Sequence, residues 1–245
     1  MRSIAPGSLW LYLLDSALLA ENGQLEASQA SALKVLANIP EHLRATLLVA
    51  SAELQLNQPV QAEERLRKIA RTYSYSPPVL HLLATAQLRL GQLTDARSSI
   101  QRGLQVAPQD TRFLSLKADT EILQGRIKDA TQTLEELVSL APGHVDSYLR
   151  LSQIKEKEGK RELAIQFMEK AGELGKDDPS IRDRIIAISL RHGNPAVARQ
   201  LADYAIKTYP NDPRSHLALT ATLAAQNDTS GAWKATLTAL DLKPD

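Results

Sequence analysis

Cysteine is absent from the 245 residues, which excludes disulfides, thiolate metal sites and a cysteine nucleophile. Aromatics make up only 4% of the chain, with two Phe and two Trp. Apolar volume must therefore come from Leu, Ile, Val and Ala, and such a chain with only 11 Gly points to helices. An excess of one charge sign is also missing: 29 Lys and Arg face 28 Asp and Glu, for a net +1. That excludes a strongly basic nucleic-acid binder and an acidic disordered chain. No run approaches the roughly 18 to 20 apolar residues that span a bilayer. The run Leu9 to Leu14 is interrupted by Asp15 and followed by no clear A-x-A site, so it reads as a first amphipathic helix rather than a signal peptide.

What the chain does have is a period. Pro40, Pro108, Pro142, Pro210 and Pro244 lie 68, 34, 68 and 34 residues apart. A 34-residue frame therefore runs through without insertion, and numbering this proline column as position 32 defines seven units: 9–42, 43–76, 77–110, 111–144, 145–178, 179–212 and 213–245. Residues 1–8 are left as an N-terminal leader, and 9–245 form a single array. Position 20 reads Ser28, Ala62, Ala96, Ala130, Ala164, Ala198 and Ala232. Position 15 reads Gly23, Asn57, Gly91, Gly125, Gly159, Gly193 and Asn227. Position 8 is small in most units: Ser16, Ala50, Ala84, Ala118 and Ser152.

Each column has a physical meaning. Gly or Asn at position 15 suits a left-handed residue that ends a helix. Proline at position 32 sits beyond a second helix that it cannot continue. Two helices of about 13 residues, A and B, fit between these stops, and small residues at positions 8 and 20 let them approach closely. One such pair cannot bury both of its apolar faces, so neighbouring units must stack. These columns resemble the tetratricopeptide repeat, over nearly the whole chain. The resemblance implies an all-α solenoid, a right-handed superhelix of stacked helix-turn-helix units. The chain departs from the family pattern in places. The aromatic of position 4 survives only as Tyr12 and Tyr148, position 7 is Asp15 in unit one and Lys117 in unit four, and position 27 is Gly103 in unit three. Pentatricopeptide repeats are the nearest rival, but they have 35-residue units and a basic RNA-reading surface.

Catalytic patterns are missing. His42, His81, His144, His192 and His216 are not spaced as metal ligands on one helical turn, and no H-E-x-x-H occurs. His42 and His144 share position 34, where solvated turn histidines are expected. There is no G-x-G-x-x-G, phosphate loop or nucleophile elbow. Glu156, Glu158 and Glu162 alternate with Lys155, Lys157, Lys160 and Arg161, as on a solvated helix face. A glycosylation triplet, Asn227-Asp228-Thr229, is of a kind common by chance. Neither enzymatic activity nor a cofactor is expected.

The resemblance places any binding site on the concave surface lined by helix A. Carried over residue by residue, its groove positions are Trp10, Leu13, Leu47, Leu54, His81 and Arg89 in units one to three. Units four to six supply Arg112, Asp119, Arg150, Gln153, Lys157, Arg184 and Arg191. The surface reads as apolar, then charged. Arg150 and Arg184 occupy position 6 of neighbouring units and form an expected cationic pair for an acidic partner segment. The competing reading is that some of the leucines face neighbouring helices and the charges are merely solvated. The co-chaperone carboxylate clamp is not matched, since no unit has Lys at position 5 or Asn at position 6 or 9.

The expected function is a protein-interaction scaffold that holds a peptide or helix in this groove. A second reading rests on Ser180 to Ala198, which resembles repeat proteins of bacterial exopolysaccharide export and exosortase-linked loci and implies an assembly factor. A third is a regulatory region of a larger enzyme such as a glycosyltransferase. The compartment stays open between bacterial periplasm and cytoplasm. Helix B of unit seven carries Trp233, Leu237, Leu240 and Leu242 with no following unit, so a longer array or self-association is expected there.

Overall fold

The computed structural model describes residues 6–242, and every regular element among them is an α-helix. The helices pair in chain order. They are α1 (Pro6–Glu21) and α2 (Leu25–Leu36), α3 (Leu43–Gln55) and α4 (Pro59–Ile69), α5 (Pro77–Arg89) and α6 (Leu93–Val106), α7 (Thr111–Leu123) and α8 (Ile127–Leu140), α9 (Val145–Lys157) and α10 (Arg161–Gly175), α11 (Pro179–Arg191) and α12 (Pro195–Thr208), α13 (Pro213–Ala225) and α14 (Thr229–Leu242). Odd-numbered helices are the A helices of the 34-residue frame and even-numbered ones the B helices. The chain forms two compact units, Met1–Thr133 and Leu134–Asp245, which divide inside α8. None of the described helices is long and apolar enough to cross a membrane.

The column residues do what their chemistry requires. All seven position-15 residues have a positive φ, including Asn57 at 59° and Asn227 at 63°. That left-handed step turns each A helix back onto its B helix. Position 34 supplies N-caps for the next A helix: Asp110, Asp178 and Asp212 accept from backbone N–H groups of α7, α11 and α13. His42 Nδ1 does the same from Ala45 N at 3.2 Å, so this histidine is a cap rather than a solvated turn residue. His144 Nδ1 lies 2.9 Å from Ser147 Oγ, and the expectation of a free turn histidine is corrected there as well. Pro40, Pro108, Pro142 and Pro210 follow the ends of α2, α6, α8 and α12, while Pro244 lies outside the described residues. The leader expected over residues 1–8 is helical from Pro6, and residues 1–5 lie outside the described range.

Within each hairpin, positions 8 and 20 face each other. Ser28 Oγ donates to the Ser16 carbonyl at 2.7 Å, and Ser152 Oγ donates to the Ala164 carbonyl at 2.7 Å. Ala50, Ala62, Ala84 and Ala96 are fully buried at the equivalent crossings. Gly103 at position 27 has a local cause. A Cβ there would lie 2.3 Å from the Phe113 ring, so the glycine makes room for a buried phenylalanine of the next A helix.

A second column, unread in the sequence, is polar and buried. Position 11 holds Glu53, Gln87 and Glu121, each bonded across its own hairpin to position 23. Arg65 Nη2 donates to Glu53 at 2.7 Å, with Nε 3.2 Å from both carboxylate oxygens. Ser99 Oγ donates to Gln87 at 2.8 Å, and Thr133 Oγ1 donates to Glu121 at 2.8 Å. Removing one partner of a buried ion pair leaves an uncompensated charge. Arg65→Ala is therefore expected to cost about 3 kcal/mol in denaturant unfolding. Arg199→Ala, at an exposed i,i+4 pair with Asp203 of 2.8 Å, should cost less than about 0.5 kcal/mol. Similar losses for the two variants would refute the rung.

Candidate partner-binding surface

In the first unit the A helices α1, α3, α5 and α7 present one face each. Trp10 is 65% exposed, and Leu14, one helical turn on, is also exposed. Leu14 was not among the sequence-expected positions, though its i,i+4 relation to Trp10 was visible. Two expected groove residues are corrected. Leu13 is 3% exposed and packs with Val35 and Ala45; Leu54 is 4% exposed and packs in the core with Leu66, Val79 and Leu83. Both side chains turn toward the A helix of the following repeat and fill the seam between A helices. The exposed face is accordingly rotated from the one expected. Leu47 lies half-buried against that same core.

His81 packs edge-on to Phe113, with ring centroids 5.9 Å apart. Its pKa is held below the ordinary 6.5, first by burial and then by the Arg112 charge, so the ring is neutral at pH 7. Arg112 is forked onto Asp110, with Nε 3.0 Å and Nη2 2.7 Å from its carboxylate oxygens. That bidentate bond is the main reason the Asp110 carboxyl sits below its usual range. Arg89 Nη1 donates to the Leu54 carbonyl and so ties the end of α5 to that of α3. Asp119 is half-buried and has a partner of its own.

In the second unit the face belongs to α9, α11 and α13. The expected cationic pair is corrected. Arg184 is ion-paired to Asp146, and Arg150 is also engaged, so the two do not form an open anion site. Glu156 lies against His192 Nδ1. Gln153 is half-buried, while Lys157 and Arg191 are exposed at the helix ends. Between α11 and α13 a shallow cleft of about 220 Å³ is lined by Asp183, Ile186, Leu190, Arg214 and Leu217. Asp183 Oδ1 is buried there without a partner, and burial pushes the carboxyl above its ordinary range. Three or more metal-ligating side chains do not cluster anywhere among the described residues.

Family models for the tetratricopeptide repeat match residues 54–119 and 145–174. Among solved structures, a thermophilic repeat protein of Thermus thermophilus superimposes with a TM-score of 0.65 at 19% identity, over 74% of this chain and 99% of that one. A tetratricopeptide repeat protein from Parabacteroides merdae gives 0.62 at 12% identity, over 97% and 94% of the two chains. YrrB, a repeat protein with an unusual peptide-binding site, gives 0.53 at 20% identity, over 68% and 86%. At these identities the likeness shows the fold. No curated protein matches in sequence.

The lowered His81 pKa has a measurable sign. Below pH 6.5 the unfolded chain takes up this proton before the native one does, so stability falls as pH drops through that value. The melting temperature is expected to fall between pH 7.5 and pH 5.5, and by less in His81→Gln. An identical pH dependence in the two proteins would contradict the burial of a neutral ring.

Proposed function

We propose that this chain, a tetratricopeptide-repeat protein, is a non-catalytic scaffold that holds an extended peptide or a helix of a partner protein along the exposed faces of its A helices. The observation that carries this reading is the apolar pair Trp10 and Leu14, left in water one turn apart on α1. Large apolar side chains exposed together favour a partner surface over a solvated one. Half-buried Leu47 and Leu88 on α3 and α5 extend the apolar character within that unit. In the second unit an acidic stretch of the partner would meet Lys157 and Arg191, since Arg184 is neutralised by Asp146. YrrB gives a precedent for peptide binding in this fold.

Site-specific photocrosslinking tests the surface. A benzophenone side chain at Leu47 or Gln153, on the A helices, should capture partner proteins in native cells at least tenfold more efficiently than one at Lys128 or Gln200, on the B helices. Equal yields from both faces would sink the groove assignment.

The proposal has a second part, self-association through α14. Ala232, Ala235 and Ala239 are buried against α13, whereas Trp233 is 65% exposed and Leu237, Leu240 and Leu242 are exposed beside it. Covering such a stripe is favourable by about 25 cal/mol per Å². Light scattering across a concentration series should show dimers or larger species that Leu237→Glu with Leu240→Glu dissolves. A monomer at every concentration would remove this part and leave the groove untouched.

A further inference from the structure

Position 7 of the A helices is a core position: Val49, Leu83, Leu151 and Ile185 are all buried. Unit four has Lys117 there. In place of a filled core the structure has a cleft of about 280 Å³ between α6 and α7, away from the A-helix groove. Arg97, Lys117 and Arg126 line it, with Ile100 and Leu104 as apolar walls and Glu121 as the only carboxylate.

The charges in this cleft are unequally spent. Glu121 is engaged on both oxygens: Arg126 Nη2 donates to one at 3.1 Å and Thr133 Oγ1 to the other at 2.8 Å. Glu121 is also four residues from Lys117 on the same helix, the usual ion-pair spacing, yet it is turned to Arg126 instead. Arg126 Nη1 reaches Asp129 at 3.5 Å, which leaves Arg126 Nε buried and without a partner. Lys117 and Arg97 have no hydrogen bond or ion pair with any other described residue. Two uncompensated cations and a spare donor therefore share a concave, half-apolar site. A leucine in place of Lys117 would fill the core column as its counterparts do, so the lysine sacrifices packing.

The geometry points to a binding site for an oxyanion, a carboxylate or phosphoryl group carried on a short apolar body. Lys117 and Arg97 supply the counter-charge, Arg126 Nε supplies a hydrogen bond, and Ile100 and Leu104 contact the apolar part. Partial desolvation by those walls strengthens each charged contact over its value in open water. The volume accommodates one small group rather than an extended peptide. This site stands whether or not the A-helix groove binds a partner.

Calorimetric titration of the full chain at constant ionic strength tests it. Fixed ionic strength separates specific contacts from screening. The probes are phenyl phosphate, the capped peptide acetyl-Leu-Glu-Leu-amide, and chloride as control. Saturable binding of phenyl phosphate or the peptide, at least tenfold tighter than any chloride effect, is the expected result. Phenyl phosphate alone identifies a small phosphorylated ligand, the peptide alone an acidic side chain of a partner, and both together the shared chemistry. Lys117→Leu should weaken binding at least tenfold while raising the melting temperature, and Arg97→Gln should weaken it without a change in melting temperature. Lys117→Gln serves if the leucine variant misfolds. No saturation by either probe, or wild-type affinity in the Lys117 and Arg97 variants, overturns the assignment.

Discussion

Ser16, Ala50, Ala84, Ala118 and Ser152 lie where the two helices of a hairpin cross, opposite Ser28, Ala62, Ala96, Ala130 and Ala164. The closeness of that crossing governs the rest. With no side-chain bulk at the crossing, the helices can bury aliphatic residues on both flanks without large aromatics, which a chain so poor in them requires. The left-handed residue at position 15 sets the point of reversal and thereby the register of B against A. Stacking then follows, since a two-helix unit retains an apolar face that only the next A helix covers. Gly103 and Phe113 show how tightly this is specified, because a single added methyl would collide with a ring of the neighbouring repeat.

Most of the architecture was legible because repetition makes each column testable against itself. The helix stops and the small-residue crossings appear where the spacing puts them, whereas the N-caps at position 34 emerge only from the structure. The buried rungs were equally visible as a polar column of Glu53, Gln87 and Glu121, but a polar residue read alone on a helix suggests a solvated face. Only the partner twelve residues on, Arg65, Ser99 or Thr133, reveals the burial.

The candidate surface was less legible. Leu13 and Leu54 were placed in the groove on the family's facing pattern, and a rotation of the helix by a fraction of a turn moves a side chain from solvent into the seam between A helices. The charged half fared no better. Arg184 is neutralised by Asp146, 38 residues away, a pairing that no local spacing announces. In contrast, Lys117 stood out in the sequence as a departure at a core position. Its consequence, an open cleft with unspent charge, became apparent only once Glu121 was seen committed to Arg126 and Thr133.

The rungs bear on how a chain of near-identical hairpins avoids confusing them. Aliphatic faces repeated every 34 residues are nearly interchangeable, so a growing chain could pair an A helix with the wrong B helix, or with that of another molecule. The rungs differ from hairpin to hairpin. Glu53 is matched by the guanidinium of Arg65, whereas against Ser99 it would be a buried, uncompensated carboxylate; Arg65 set against Gln87 would be a half-buried cation without its counter-charge. These polar pairings thus disfavour exchange between the second and third hairpins, and the internal polar column serves the fidelity of assembly as well as stability.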